Sequence, residues 1–345
     1  MTGYYPSAQE LKALQQETDR STALTNPMMQ IVPGMLRRTD GFDVDKEIKQ
    51  LTDLIEVTSD KDYRDHLEAL LSRMMSVMDL TPQLYDHFKE NPNTLSNWYP
   101  QIKAAAEQHG FFQTPDTKVW TLPIEVAQFI RLEYAETDAA TRQLFNEMVT
   151  KAFDLDETKT YFIKTGTFSS KFEFRNAKCA EPLEMGDYFI VINNYAMKVG
   201  AGHSVDLVVR EYIEDPEDRP TIYNGMPLRT EFRVFVDFDT DQLIGTVPYW
   251  FPSVMRNRLR KKDNATVEQD YYTYLDMEDQ LMNDYNAHFS TVNEHIQALL
   301  PDVALTGRYS IDVMKNGDDF YIIDMATMES SAMAEFVTGS GLTEY

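Results

Sequence analysis

The chain has 345 residues, 32 Lys and Arg against 56 Asp and Glu, a formal net charge of −24, 43% apolar and 12% aromatic residues. That length and apolar content suffice for one large or two ordinary domains with a true core, and they exclude a disordered acidic tail. The charge argues against an electrostatic nucleic-acid binder, which needs a basic surface, and the single cysteine, Cys179, excludes a disulfide scaffold and a thiolate zinc cluster.

From Ser7 to Gly110 the sequence reads as helical. Ser7 is an N-cap candidate with Glu10 three residues on, followed by Leu11 and Leu14 at helical spacing. Ile48, Leu51, Leu54 and Ile55 form a second apolar stripe, and Leu67, Leu70, Leu71, Met74, Met75 and Met78 a third. Methionines at that spacing fill cores or, less often, line a binding groove. Breaks are expected at Thr81-Pro82 and Asn91-Pro92-Asn93, after which Trp98 and Tyr99 lead into a helix over Ile102 to His109. No apolar run approaches the ~20 residues of a membrane span. The opening Met1-Thr2-Gly3-Tyr4-Tyr5-Pro6 lacks the basic-then-apolar order of a signal peptide, so a reducing, cytoplasmic setting is expected without a membrane partner.

Beyond Phe111 helices alternate with β-rich runs. Thr137 to Leu155 and Met185 to Val199 read as helices, Tyr161 to Lys164 and Val205 to Ile213 as strands. Asp215 to Asn224, acidic and proline-bearing, reads as a surface loop. Glu231 to Asp237 alternates with Phe232, Val234 and Val236 on one face and forms a hairpin with Leu243 to Trp250 across Asp239-Thr240-Asp241. The basic run Arg256-Asn257-Arg258-Leu259-Arg260-Lys261-Lys262 reads as a solvated helix face or as a lid over phosphate. Residues 266 to 300 form one or two helices. Tyr309 to Met314 and Phe320 to Asp324 close a last hairpin around Asn316-Gly317, a favoured tight-turn pair.

Three clusters carry chemistry. Asp312 and Asp324 each follow an apolar run, and strands paired in register place their carboxylates side by side. Such a pair needs a cation or a proton between its members, and hard oxygen ligands suit Mg2+ or Mn2+ held partly by nucleotide phosphates; otherwise one aspartate faces solvent at a strand end. Lys164 is followed by Thr165-Gly166-Thr167-Phe168-Ser169-Ser170-Lys171, small hydroxyl-bearing residues of the kind that fold over phosphates. The spacing is neither the Gly-x4-Gly-Lys-Ser/Thr phosphate loop nor the Lys-x-Asp-Gly of covalent nucleotidyl transferases. Arg233 shares the polar face of its strand with Glu231, as a surface ion pair or as a fork for phosphate oxygens.

The order of these pieces resembles the ATP-grasp superfamily over residues 113 to 330. That resemblance implies an α+β fold of two lobes holding ATP between them, preceded here by a helical N-terminal region: residues 1–112, then a nucleotide-binding domain over 113–345. It implies that Lys164, Ser169, Ser170 and Lys171 meet phosphates, Arg210-Glu211-Tyr212-Ile213 the adenine, Glu231 the ribose, and Asp312 and Asp324 the Mg2+. Lys164 and Arg233 take the catalytic roles, neutralising charge on the transferred phosphoryl group. Lys164 to Asn176 and Glu231-Phe232-Arg233-Val234-Phe235-Val236 are similar to the cell-division-cycle proteins that assist translation-initiation-factor assembly. The strand arginine is also similar to that of tubulin-tyrosine-ligase-like enzymes. The implied function is an ATP-dependent carboxylate–amine ligase working through an acyl phosphate, with an unidentified carboxylate or protein acceptor. The alternative is an ATP-binding assembly factor without ligase turnover. One departure bears on that choice: Ala326 stands where the superfamily places an asparagine that completes the metal shell.

Overall fold

The computed structural model of the protein describes residues 1–29, 44–60, 63–64, 67–68, 71, 80–260 and 265–337. In chain order its main helices are α1 (Ala8–Met29), α2 (Val44–Val57), α3 (Pro82–Glu90), α4 (Leu95–His109), α5 (Ile124–Phe129), α6 (Ala139–Phe153), α7 (Met185–Lys198), α8 (Pro252–Arg260) and α9 (Ala265–Leu299). The strands are β1 (Phe112–Gln113), β2 (Thr117–Thr121), β3 (Tyr161–Thr165), β4 (Lys178–Cys179), β5 (Asp206–Glu211), β6 (Thr221–Ile222), β7 (Met226–Pro227), β8 (Glu231–Asp237), β9 (Gln242–Pro248), β10 (Arg308–Asn316) and β11 (Asp319–Thr327). The class is α+β. The chain forms two units: Met1–Thr94, Lys118–Ser170 and Cys179–Val209 make the first, and Leu95–Thr117, Lys171–Lys178 and Arg210–Tyr345 the second.

In the first unit local chemistry fixes the helix starts. Ser7 and Glu10 close a reciprocal capping box, with Ser7 N donating to Glu10 Oε2 at 2.7 Å and Glu10 N to Ser7 Oγ at 3.3 Å. Thr81 Oγ1 caps α3 by accepting from Leu84 N at 3.2 Å, with Pro82 in the first turn, where its missing N–H costs nothing. Asp138 caps α6 through Ala140 N and Thr141 N. The core gathers Leu14 of α1, Phe88 of α3, Phe129 of α5, Phe145 and Phe153 of α6 and Phe189 of α7 around Trp120, Ile163 and Leu207 from the sheet β2-β5-β3-β4. On α2, Leu51 and Ile55 are half-buried and Leu54 exposed. Of the third stripe Leu67 is buried and Leu71 packs on the core, while Leu70, Met74, Met75 and Met78 lie outside the described residues.

The second unit holds a five-stranded sheet in the order β1-β11-β10-β8-β9. β1 runs parallel to β11, and the other neighbours are antiparallel. Strand alternation gives this sheet two different faces. Phe232, Val234, Val236, Ile311, Val313 and Ile322 are fully or nearly fully buried. This face packs on α9: Phe232 stacks on Tyr285 with centroids 5.2 Å apart, and His288 meets Phe320 edge-on at 5.4 Å. The 266–300 stretch is one helix of 35 residues. Its buried Tyr274, Met277, Leu281, Tyr285, Val292, Ile296 and Leu299 recur every three or four residues, or at their sum, so a single face serves its whole length.

Three expectations change. The last hairpin turns at Gly317-Asp318, because Asn316 still pairs with Asp319; Gly317 has φ 62° and supplies the left-handed conformation. The 215–224 segment is tied down: Asp215 Oδ1 accepts from Arg219 Nη1 at 2.9 Å, both side chains nearly buried, and β6 pairs with β7. In α8 the basic run is only partly a solvated face. Arg256 pairs with Glu278 of α9, Arg258 lies 3.9 Å over the Phe172 ring, and Leu259 is buried. Lys261 and Lys262 lie outside the described residues. No described helix is long and apolar enough to cross a membrane.

Candidate functional site

The second face of the five-stranded sheet is polar at one end. Glu231 and Arg233 alternate with the buried Phe232, and Asp312 lies directly across from Arg233 on β10. The contact is a two-pronged ion pair: Arg233 Nε donates to Asp312 Oδ1 and Nη2 to Oδ2, each at 2.8 Å, with both side chains almost buried. Arg233 Nη1 also reaches the Ala332 carbonyl at 3.2 Å. Arg233 therefore pairs with Asp312, not with its strand neighbour Glu231. Tyr249, just past β9, presents its ring to two cations, the Arg233 guanidinium at 4.7 Å and Lys171 Nζ at 4.3 Å. Asp324 lies opposite Asp312 in the β10–β11 register.

These groups shape one another's protonation. Burial pushes the Glu231 carboxyl up to about 7, against the pull of Lys171, with Asp312 adding to the rise. Burial also pulls the Lys171 ammonium below its ordinary value, opposed chiefly by Asp312. For Arg233 burial pulls the same way, but Asp312, joined by Asp324 and Glu231, holds the guanidinium above its ordinary value. Arg210 is lowered by burial, with Asp324 the strongest opposing charge. The two aspartates thus do not face each other uncompensated: Arg233 clasps one and the field of Arg210 acts on the other.

The expected site residues divide between the units. Lys164 on β3 and Ser169 and Ser170 beyond it belong to the first, where Lys164 and Ser170 are each 2% exposed and Ser169 is partly so. The others belong to the second. Lys171, Glu231, Arg233, Asp312 and Asp324 form the polar face and its surroundings. Arg210 is buried, Glu211 exposed, and Tyr212 and Ile213 half-buried, with Ile213 O accepting from Arg229 Nη2 at 2.6 Å. Tyr249 went unread in the sequence, because a tyrosine beside a tryptophan at a strand end looks like core. Its one legible signal was its place beyond the strand that pairs with Glu231-Phe232-Arg233.

Asp312 and Asp324 bring hard oxygen donors of the kind that hold a divalent cation, and Arg233 occupies both oxygens of Asp312. Two carboxylates face each other in register, and phosphate oxygens and water would supply the remaining positions around Mg2+ or Mn2+. Among the described residues no group of three or more His, Cys, Asp or Glu is placed to hold a metal. Ala326 pairs with Ser310, whose hydroxyl lies 2.7 Å from that of Ser331.

No family model and no curated protein sequence matches the chain. Among solved structures it is similar to Cdc123 from Schizosaccharomyces pombe, at 16% identity and a TM-score of 0.41, over 75% of this chain and 93% of that one. It is also similar to D-alanine–D-alanine ligase from Bacillus anthracis complexed with ATP, at 10% identity and a TM-score of 0.26, over 65% of this chain and 51% of that one. Phosphoribosylglycinamide synthetase from Anaerococcus prevotii follows at 10% identity and a TM-score of 0.27, over 67% and 42%.

Proposed function

We propose that the chain is an ATP- and Mg2+-binding protein of ATP-grasp type, acting as an ATP-dependent carboxylate–amine ligase. The observation that carries this reading is the polar face of the second unit, where Lys171, Arg233, Glu231, Asp312 and Asp324 share one field over a covered apolar core. A phosphoryl-transfer site is mostly positioning and charge, and this face offers both. A substrate carboxylate oxygen attacks the γ-phosphorus of ATP, the bond to the ADP oxygen breaks, and an acyl phosphate forms. An amine then attacks the acyl carbon and inorganic phosphate leaves. Arg233 and Lys164 keep the catalytic role the resemblance implies, offsetting the charge that develops on the transferred group, while Ser169, Ser170 and Lys171 keep the phosphate-binding role. Arg210 to Ile213 keep the adenine and Glu231 the ribose. Asp312 and Asp324 would hold Mg2+, which when bound supplies charge neutralisation along the phosphates.

Calorimetry with ATP and Mg2+ tests nucleotide binding. A ligand at a hundred times its dissociation constant stabilises the folded protein by about 2.7 kcal/mol, and absence of both heat and a melting shift at millimolar nucleotide overturns the reading. The second reading, an ATP-binding assembly factor without turnover, is favoured by Ala326, which brings no oxygen to the metal position. ADP and phosphate release that depends on an added amine-bearing acceptor selects the ligase; nucleotide binding without it selects the assembly factor.

A further inference from the structure

Regular alternation would not put Asp324 beside Asp312. Phe320 and Ile322 are buried, and an unbroken strand would send Asp324 to their face. The register breaks instead between Asp312 and Val313: Asp312 pairs with Asp324 and Val313 with Ile322, so Ile323 is an extra residue. Such a bulge re-aims the next side chain and leaves part of the ladder unmade, so the bulged backbone gains from an outside hydrogen bond.

Arg210, the last buried residue of β5, supplies one. Its Nη1 donates to the Ile323 carbonyl at 2.5 Å. The residue is 4% exposed, and its guanidinium lies 5.9 Å over the ring of Tyr99, whose hydroxyl is tied to the Pro115 carbonyl at 2.7 Å. Nε and Nη2 of Arg210 have no hydrogen-bond partner among the described residues. We propose that Arg210 is a positioning residue: by holding the Ile323 carbonyl in the bulge it turns Asp324 onto the polar face, opposite Asp312. A flat guanidinium braced on an aromatic ring fixes this direction, as a flexible lysine does not. This inference rests on the reading of Asp312 and Asp324 as a metal pair.

The test is the affinity of the full-length protein for Mn2+ in the presence of ATP, followed by the electron paramagnetic resonance of free Mn2+. Arg210→Gln is expected to weaken Mn2+ binding at least tenfold at saturating ATP, as Asp324→Asn does. Arg210→Lys keeps the charge without the fork and is expected to bind Mn2+ as poorly as Arg210→Gln; it carries the measurement if the glutamine variant fails to fold. The double variant Arg210→Gln/Asp324→Asn is expected to be no weaker than Asp324→Asn, because both changes remove the same ligand. Wild-type Mn2+ affinity in both Arg210 variants, or multiplying losses in the double variant, overturns the proposal. If Asp324→Asn itself binds Mn2+ as wild type does, the metal-pair reading fails, and this inference with it.

Discussion

The five-stranded sheet carries two bulges of the same form with opposite contents. On β9 the register passes from Phe235–Gly245 to Val236–Leu243, leaving Ile244 extra; on β11 Ile323 is extra. In each case an isoleucine and the residue after it depart from simple alternation. Beyond Ile244 comes Gly245, in an apolar cluster of Phe235, Val247, Met328, Met333 and Val337. Beyond Ile323 comes Asp324, in a field of aspartate and arginines. The same backbone device thus builds packing at one end of a face and a charged site at the other, and the residue after the isoleucine decides between them.

The strongest test strikes the charged end. Removing one member of a nearly buried ion pair strands the other, so Asp312→Ala is expected to destabilise the protein by about 3 kcal/mol in denaturant unfolding. It should also abolish Mg2+-dependent nucleotide binding. Loss of stability with unchanged nucleotide binding would make the pair purely structural and erase the contrast between the bulges.

At the packed end, a Cβ on Gly245 would sit 2.4 Å from Val337 Cγ1. Val337 is branched and held in the cluster, so Gly245→Ala is expected to cost about 2 kcal/mol through overpacking. Nucleotide affinity should not move. A variant as stable as wild type would show that the C-terminal segment is only loosely seated there.

Glu231 sharpens the comparison through pH. Its carboxyl stands at about 7 when folded, through burial that Lys171, Arg233 and Arg229 oppose and Asp312 reinforces, against 4.5 unperturbed. Between those values the folded state binds more protons than the unfolded one, so this group's contribution to stability falls as pH rises from about 4.5 to about 7 and is level above. Glu231→Gln is expected to remove that downward slope from melting temperature against pH and to melt higher than wild type at pH 8. An unchanged slope would mean that Glu231 titrates as an ordinary surface acid.

The smallest expected effect is at Tyr249. Tyr249→Leu removes the ring from Lys171 and Arg233 and is expected to weaken ATP binding by about 1 kcal/mol, some fivefold, with the Arg233–Asp312 pair intact. A loss comparable to that of Asp312→Ala would place Tyr249 at the centre of the site.

Much of the framework was legible in the sequence because local chemistry sets it. The Ser7–Glu10 box, Thr81-Pro82, the alternation of Phe232, Val234 and Val236, and the paired strands ending in Asp312 and Asp324 all depend on neighbours a few residues away. So did the placing of Glu231 and Arg233 on one face. Contacts between residues distant in sequence were decided only by the tertiary structure. Arg233 chose Asp312, 79 residues on, over Glu231 two residues away, because alternate residues of a strand stand nearly 7 Å apart while a cross-strand neighbour meets the guanidinium head-on. Tyr249 became a platform for two cations only once Lys171 was brought to it. Periodicity sends Asp324 to the buried face with Ile322, and a bulge joined to Arg210, 113 residues earlier, sends it to the other. A pattern of period two carries no mark of where the period is broken, because the break is stabilised by a hydrogen bond from elsewhere in the chain.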